Sequence, residues 1–407
     1  MNILIINHYA GAPTYGMEYR QYYLAREWQK AGHNVLIVTS SYTHLRSKQF
    51  IVNSRVEKKI VEGLDYLIFK TPSYQQNNYK RILNIFSFVF TLNRNWRKIA
   101  KEFKPNVVIT SSTFCFDIYK SKKIADLAGA KLIFEVHDLW PLSIMELGGY
   151  SKWNPFIYLM QKAENFAYRY SDKVVSILPN TLEYMVEHGL RKDKFLHIPN
   201  GICIEEWDTD IDIPLEISNL IDELKQQNNI IIGYAGNHGV ANALYSLVDA
   251  MKFFRNENVV LLLIGQGQEK QNLIKKVKEQ NVTNVYFISA VPKTVIPSLL
   301  DKLDILYVGL QNQPVFRFGV SPNKLIDYMM AGKPIIQAIK AGNDIVVDAK
   351  CGITVAPENT QEIVSGIQYL LSQPIERLKA MGQSGKNYCM SNHDYKVLAQ
   401  KFINALN

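Results

Sequence analysis

Residues 321–336 read SPNKLIDYMMAGKPII. Ser321, Pro322, Asn323 and Lys324 precede an apolar-periodic run, Asp327 enters one turn on, and Ala-Gly-Lys-Pro closes it. A helix that starts this way gathers unpaired backbone N–H groups, a positive dipole end and an ammonium at one point, which is the chemistry of an anion site. Asp327 could accept hydrogen bonds from a ribose diol beside a diphosphate held by Lys324. A solvent-exposed cap with an acid favouring the dipole would satisfy the same pattern.

Other stretches carry related chemistry. IIIGYAGNHGVANAL holds Gly236, Asn237 and His238, LLLIGQGQEK holds Gly265, and NHYAGAPTYGMEYRQ holds Gly16. A glycine loop between a strand and a helix lets backbone approach a phosphate closely, although any tight turn there also favours glycine. NHYAGAPTYG, the first loop of the chain, is not GxGxxG, so the dinucleotide fingerprint is missing there. Arg317 and Gly319 lie in the long loop before Ser321. In IFEVHDLWP, His137 and Asp138 directly follow a buried-strand pattern, where a His-Asp pair could orient a hydroxyl-bearing ligand. Glu18 and Arg20 open the first helical pattern and face either a cleft or solvent. The Asp-x-Asp patterns of DTDID, Asp208 to Asp212, follow no strand and read as solvated chain, not as a metal-diphosphate site.

Elements able to position these residues alternate along the whole chain. Residues 2–7, 34–39, 107–110, 131–136 and 173–178 predict buried parallel strands, with helical spacing between them, as at 18–31 before Gly32. A second series starts at Ile230: IIIGYAG, VVLLLIG, VYFIS, ILYVG, PIIQA and GITVA. Two βα series predict two doubly wound α/β domains, 1–203 and 230–375. An acidic, strand-poor linker over 204–229 would join them, and C-terminal helices over 376–407 could cross back to the first domain. Ligands of such sheets bind at the carboxyl ends of the strands, here in a cleft between facing domains.

The 407 residues exceed one ordinary core, and 47% hydrophobic with 20% charged residues is a globular composition. A net charge of +9 favours nucleotides, phosphates or an anionic membrane face; no nucleic-acid partner is expected. Cys115, Cys203, Cys351 and Cys389 are scattered without CxxC or ligand spacing, which predicts buried free thiols and no metal centre. The start lacks a signal peptide's basic region, and no run reaches the roughly 20 apolar residues of a membrane span. A cytoplasmic protein, peripheral at the inner face of the membrane, is expected.

Taken in order, the Gly-rich first loop, VHDLWP, IPNGI, GYAGNHG, LLLIGQG and SPNKLIDYMMAGKPII resemble the retaining, nucleotide-sugar-dependent glycosyltransferases of family 4. The resemblance covers essentially the whole chain. HYAGAPTYGMEYRQYYLAREWQKAGHNVLIVTSSYTHLRS is similar to the N-acetyl-L-fucosamine transferases that build bacterial O-antigen and capsule repeats. The resemblance implies the GT-B fold, a UDP-sugar substrate, and no metal or other cofactor. It assigns Gly16, Gly236, Asn237, His238, Gly265, Arg317, Ser321, Pro322, Asn323, Lys324 and Asp327 to the donor, Glu18 and Arg20 to the acceptor side, and His137, Asp138 and Lys324 to catalysis. Lys324 and backbone amides would stabilise the departing diphosphate while domain closure excludes water. Two departures stand out. The family pairs glutamates eight positions apart, where this chain has Gly319 and Asp327. Many members place an arginine and a lysine where His238 and Asn242 stand.

The expected reaction is transfer, with retention, of an N-acetylated deoxyhexosamine such as L-FucNAc from UDP to an undecaprenyl-diphosphate-linked sugar, in O-antigen or capsular polysaccharide assembly. A nucleotide-sugar 2-epimerase of the same fold would need no acceptor, and a non-catalytic membrane-associated partner would tolerate Gly319. A dehydrogenase would be expected to carry GxGxxG with an acid about 20 residues on. Between Tyr79 and Lys104 seven Lys/Arg stand against Glu102 alone, around the apolar run ILNIFSFVFTL. A basic-flanked apolar helix can lie in an anionic interface, which suits a lipid-linked acceptor; a core helix with a basic exposed face fits equally.

Overall fold

The computed structural model describes residues 1–16, 19–74, 79–207 and 211–406. These fall into two compact units, Met1–Asn200 with Tyr395–Asn407, and Gly201–Asp394. The first unit is built on strands β1 Asn2–Ile6, β2 Asn34–Ser40, β3 Val56–Val61, β4 Leu64–Phe69, β5 Val107–Thr110, β6 Lys131–Val136, β7 Lys173–Ser176 and β8 Phe195–His197. They form one sheet in the order β3-β4-β2-β1-β5-β6-β7-β8, parallel except for the β3–β4 hairpin. Helices α1 Arg20–Lys30, α2 Tyr79–Phe103, α3 Ile118–Ala128, α4 Leu142–Gly148, α5 Pro155–Tyr170 and α6 Leu182–Glu187 accompany it. Central strands are apolar throughout because helices cover both faces; Ile3, Leu4, Ile5 and Ile6 of β1 are all buried.

The second unit contains α7 Leu215–Gln226, β9 Ile230–Ala235, α8 Leu244–Ala250, β10 Val259–Ile264, α9 Lys270–Glu279, β11 Val285–Ile288 and α10 Ile296–Asp301. It continues with β12 Ile305–Gly309, α11 Asn323–Met330, β13 Ile335–Ala338, α12 Ile345–Asp348, β14 Gly352–Val355, α13 Thr360–Leu371 and α14 Ile375–Asn392. Its six strands are all parallel, in the order β11-β10-β9-β12-β13-β14. Both units are therefore doubly wound Rossmann-like layers. The strand order reverses beside β1 in the first and beside β9 in the second, where ligands bind in such sheets.

Residues 204–229, expected as a linker, belong to the second unit. Ile217, Leu220, Ile221 and Leu224 recur at helical spacing on α7, and Ile221 and Leu224 are buried in that unit's core with Ile202. The flanking acids mask this apolar stripe in the sequence. Asp208 and Asp210 lie outside the described residues. The C-terminal helices divide: Cys389 on α14 is buried in the second core, whereas α15 Tyr395–Asn404 belongs to the first unit. There Tyr395 stacks on Tyr23 at 4.9 Å, and the Trp28 indole donates to the Ala399 carbonyl at 3.0 Å. The four cysteines are buried and free.

Glu164 of α5 sits in the first core, 1% exposed, and accepts from the hydroxyls of Tyr168 (2.7 Å) and Tyr184 (2.9 Å) and from Gln161 (2.7 Å). Burial pushes its carboxyl up to about 7 against those three hydrogen bonds. A raised folded value means the folded state holds the proton longer than the unfolded chain. Stability from this group is therefore full below pH 4 or so and lost as pH rises towards 7. Glu164→Gln is expected to flatten the fall in unfolding free energy between pH 5 and pH 8, read from urea melts at both. An unchanged slope would place the titration elsewhere.

Candidate anion site and its partner network

In the second unit, geometry begins with Tyr328 of α11. Its hydroxyl accepts from the Ala235 amide at 2.8 Å, which pins α11 against the end of β9. Lys324 lies one turn earlier on the same helix, so its ammonium reaches the Tyr234 hydroxyl at 2.9 Å. It also donates to Asn242 Oδ1 and lies 4.6 Å from the Tyr234 ring centroid. The Tyr234 hydroxyl donates in turn to the Asn237 carbonyl at 2.7 Å, and Asn242 Nδ2 donates to the same oxygen at 2.9 Å. The loop after β9 is thus tied to Lys324 by neutral groups only. No carboxylate pairs with this ammonium among the described residues, and burial lowers it to about 8. An unpaired, partly desolvated cation at a glycine loop and a helix start is arranged for an anion.

Gly236 has φ 159°, close to extended, and an added Cβ there would lie 3.4 Å from Lys324 Nζ. Gly265, after β10, has φ +146°, and a Cβ would stand 1.9 Å from the Gly236 carbonyl oxygen. The two loops are packed backbone to backbone. Gly265→Ala is expected to force the β9 loop off Lys324 and raise the KM for donor at least about tenfold, since a shift near 1 Å is costly at a positioned charge. Saturation kinetics would check it; an unchanged KM would show that the loop does not touch the donor.

The remaining expected donor residues divide between the site and its supports. Ser321, Pro322 and Asn323 lead into α11, with Pro322 extended at its N-cap and its carbonyl accepting from Leu325. Asp327 is half-buried, and no hydrogen bond from the described residues reaches its carboxylate. Burial pushes it up to about 6, with Lys293 lowering it and Glu206 raising it. Arg317 is exposed on the loop before α11, donates to the Pro314 carbonyl at 2.8 Å and lies over Phe318. His238 turns inward: its side chain is fully buried against Tyr234 and Phe287, and burial with Lys270 nearby lowers it to about 4. It therefore offers its backbone and not its ring to the loop, its amide donating to the Gln266 carbonyl at 2.8 Å.

In the first unit, His137 follows β6 and is partly exposed, with Nε2 at 3.1 Å from Glu135 Oε2 and at 3.1 Å from Gln21 Nε2. Glu135 is buried and pairs with Arg20 Nε at 2.9 Å. Burial alone would raise the Glu135 carboxyl; Arg20 and His137 overcome it and hold it at about 2. Arg20, expected on the acceptor side, is 4% exposed and spends its other donors on the Ile198 carbonyl (2.9 Å) and the Pro199 carbonyl. Its direct work is to position Glu135. Asp138 is exposed beyond His137. Gly16 has φ +78° and its backbone lies against Ser47, which explains glycine there without a ligand. Glu18 lies outside the described residues.

Tyr234, Gln21 and Glu135 escaped sequence reasoning. A lone acid within the apolar run KLIFEV was the available signal for Glu135, because a carboxylate in a buried parallel strand needs a cation. Among the described residues no group of three His, Cys, Asp or Glu is placed to hold a metal ion.

Two doubly wound α/β units in one chain, the second bearing a cation at its glycine loops, match the GT-B fold. Family comparison agrees. The model described as Glycosyltransferase Family 4 matches residues 14–206, and that described as Glycosyl transferases group 1 matches residues 218–388. The chain belongs to this family of GT-B glycosyltransferases, with a family 4 amino-terminal half and a group 1 carboxy-terminal half. It is 24% identical over 398 residues to WcaI of Escherichia coli (strain K12), a glycosyl transferase assigned to colanic acid biosynthesis, covering 93% of each chain. It is 21% identical to the glycosyltransferase WbjE of Pseudomonas aeruginosa, over 70% of this chain and 69% of that one. Among solved structures, Anabaena Alr3699/HepE in complex with UDP superimposes with a TM-score of 0.69 at 15% identity, covering 100% and 99% of the two chains. WaaG, a glycosyltransferase involved in lipopolysaccharide biosynthesis, gives 0.66 at 15% identity over 100% of both.

Proposed function

We propose that the protein transfers a sugar from a UDP-sugar, with retention of configuration, to an undecaprenyl-diphosphate-linked sugar during assembly of a bacterial surface polysaccharide. The observation that carries this is the unpaired Lys324 ammonium held by Tyr234 and Asn242 at the glycine loops. Support for a UDP donor comes from the Anabaena neighbour, complexed with UDP and with UDP-glucose, and from a trehalose-6-phosphate enzyme of E. coli bound with UDP-2-fluoro glucose. WcaI supports the polysaccharide context. Gly319 in the place of a donor-touching acid removes a hydroxyl acceptor, which suits a deoxy sugar such as L-FucNAc.

In this reading the bond from sugar C1 to the β-phosphate oxygen breaks and its electron pair leaves with UDP. Lys324 and the amides opening α11 neutralise that charge. The acceptor hydroxyl bonds to C1 on the face the phosphate leaves, so a phosphate oxygen is the nearest base for its proton. Asp327 receives the ribose, and His137, oriented by Glu135, orients hydroxyls of the reacting sugars. The reaction needs no metal because Lys324 supplies the charge.

The test is nucleotide release from UDP-, GDP- and dTDP-sugars in EDTA, with and without a lipid-diphosphate N-acetylhexosamine acceptor. Acceptor-dependent UDP release that survives EDTA is expected. UDP release without acceptor would replace transfer by hydrolysis or 2-epimerisation, and loss of activity in EDTA would overturn the metal-free mechanism.

A further inference from the structure

We propose that the first unit carries a diphosphate subsite centred on the buried guanidinium of Arg46, and that it takes the diphosphate of the acceptor. Arg46 follows β2 and is 4% exposed, yet no carboxylate pairs with it among the described residues. Its Nη2 donates to the Ser40 carbonyl at 2.6 Å and to Ser40 Oγ at 3.2 Å, and the guanidinium lies 4.5 Å from the Phe50 ring centroid. Nε and Nη1 have no hydrogen-bond partner. An interior cation without a counter-charge costs stability, and the N–H groups left open on this one are those with which guanidinium binds phosphate.

Neighbouring groups suit the same ligand. The Ser47 and Lys48 amides converge on one oxygen, the Tyr15 carbonyl, at 2.9 and 3.2 Å, and Ser47 Oγ donates to it at 3.2 Å. Successive amides aimed at one oxygen make an anion nest, in which that carbonyl stands where a phosphate oxygen would. The Tyr15 ring packs on Phe50 at 4.2 Å, so lifting Tyr15 opens the nest and the guanidinium together. His44 is exposed, with Nδ1 2.8 Å from the Tyr74 hydroxyl and its ring 6.1 Å from that of Tyr9, whose hydroxyl accepts from Arg81 at 3.2 Å. Buried His8 lies among these groups. It is lowered to about 3, by burial first, against a hydrogen bond to Asn84, and further by Arg46, Arg81 and His44. Two guanidiniums and an imidazole therefore surround one point, and residues 40–56 carry no Asp or Glu. Two permanent charges are matched by a diphosphate and not by a monocarboxylate. Strands β4, β2 and β1 are adjacent in the sheet, so the loops after them meet beside the point where strand order reverses. The source of the diphosphate rests on the lipid-linked acceptor of the reading above; the anion site stands on these contacts.

The test is calorimetric titration of the whole protein with inorganic pyrophosphate, in a Lys324→Ala background that removes the cation of the second unit. Pyrophosphate should still bind there, and adding Arg46→Met should weaken it at least about tenfold. His44→Ala, at an exposed position, should weaken it about threefold without disturbing the fold. Farnesyl diphosphate should displace pyrophosphate, as an acceptor-like ester must. Arg46→Met in the otherwise native chain should melt no lower than wild type, because it removes a buried cation that lacks a counter-charge. Pyrophosphate binding that is absent, that Arg46→Met leaves unchanged or that farnesyl diphosphate cannot displace would overturn the proposal, as would melting of Arg46→Met well below wild type. UDP release with a farnesyl-diphosphate N-acetylhexosamine acceptor separates the two readings. Arg46→Met should raise the KM for that acceptor at least about tenfold and leave the KM for the UDP-sugar unchanged. Turnover with an unchanged acceptor KM means that only the subsite fails; pyrophosphate binding that needs Arg46, in a protein that releases no UDP, means that only the transferase reading fails.

Discussion

Lys324→Ala is expected to lower kcat/KM for the donor by about two to three orders of magnitude, about 3–4 kcal/mol of transition-state stabilisation. Its ammonium is the one charge joining Tyr234 and Asn242 at the glycine loops, and no carboxylate among the described residues cancels it. Loss should fall on kcat as well as KM, because charge on the leaving diphosphate grows towards the transition state. Acidity gives a second signature. Burial lowers this ammonium to about 8, so donor capture should weaken as pH rises through 8 and the empty site loses its charge. Lys324→Arg, charged throughout, should abolish that fall even if its geometry is poorer. The sign for stability is opposite. A depressed lysine destabilises the folded state wherever the unfolded chain is still protonated, so Lys324→Met should melt no lower than wild type at pH 7 without nucleotide. It should also lose the stabilisation that UDP confers. Unchanged kcat/KM in Lys324→Ala would remove this residue from the site.

The legible part of this architecture was the part governed by local pattern. The six apolar runs of the second unit are its six strands, and the glycine loops after β9 and β10 fall at their carboxyl ends. Illegible features depended on where side chains turn. His238 and Lys324 both suited an anion on residue type, yet His238 packs inward against Phe287 while Lys324 reaches Tyr234 and Asn242. Lys324 is placed there by α11, which Tyr328 holds against β9 through a contact between residues 93 positions apart. In EEWDTDIDIPLEISNLIDELKQQNN the acids suggested a solvated linker, but the apolar stripe of α7 docks in the second core, so local charge lost to tertiary burial. Arg20, expected to face a cleft or solvent on the acceptor side, is buried instead, because its acid lies 115 positions away on β6.

Arg20→Ala is expected to destabilise the protein by about 3–5 kcal/mol, the usual cost of breaking a buried pair and leaving one charge unpaired. Glu135 would remain buried without its main cation, and the Ile198 and Pro199 carbonyls would lose their guanidinium donors. The pair also sets a pH window. Glu135 is held at about 2, below its ordinary value, so its stabilisation is present above pH 4 or so and lost as pH falls through 2. In Arg20→Ala the carboxyl should rise, turning a stabilising group into a destabilising one at neutral pH and moving acid unfolding to higher pH. Urea melts from pH 3 to pH 7 would show both changes. Arg20→Met with Glu135→Leu should restore much of the lost stability, because a buried pair replaced by apolar groups is often near neutral. Turnover should not return with it, since His137 loses the carboxylate 3.1 Å from its Nε2. Recovery of turnover along with stability would reduce both residues to scaffold, whereas stability without turnover makes Glu135 the group through which β6 positions the histidine.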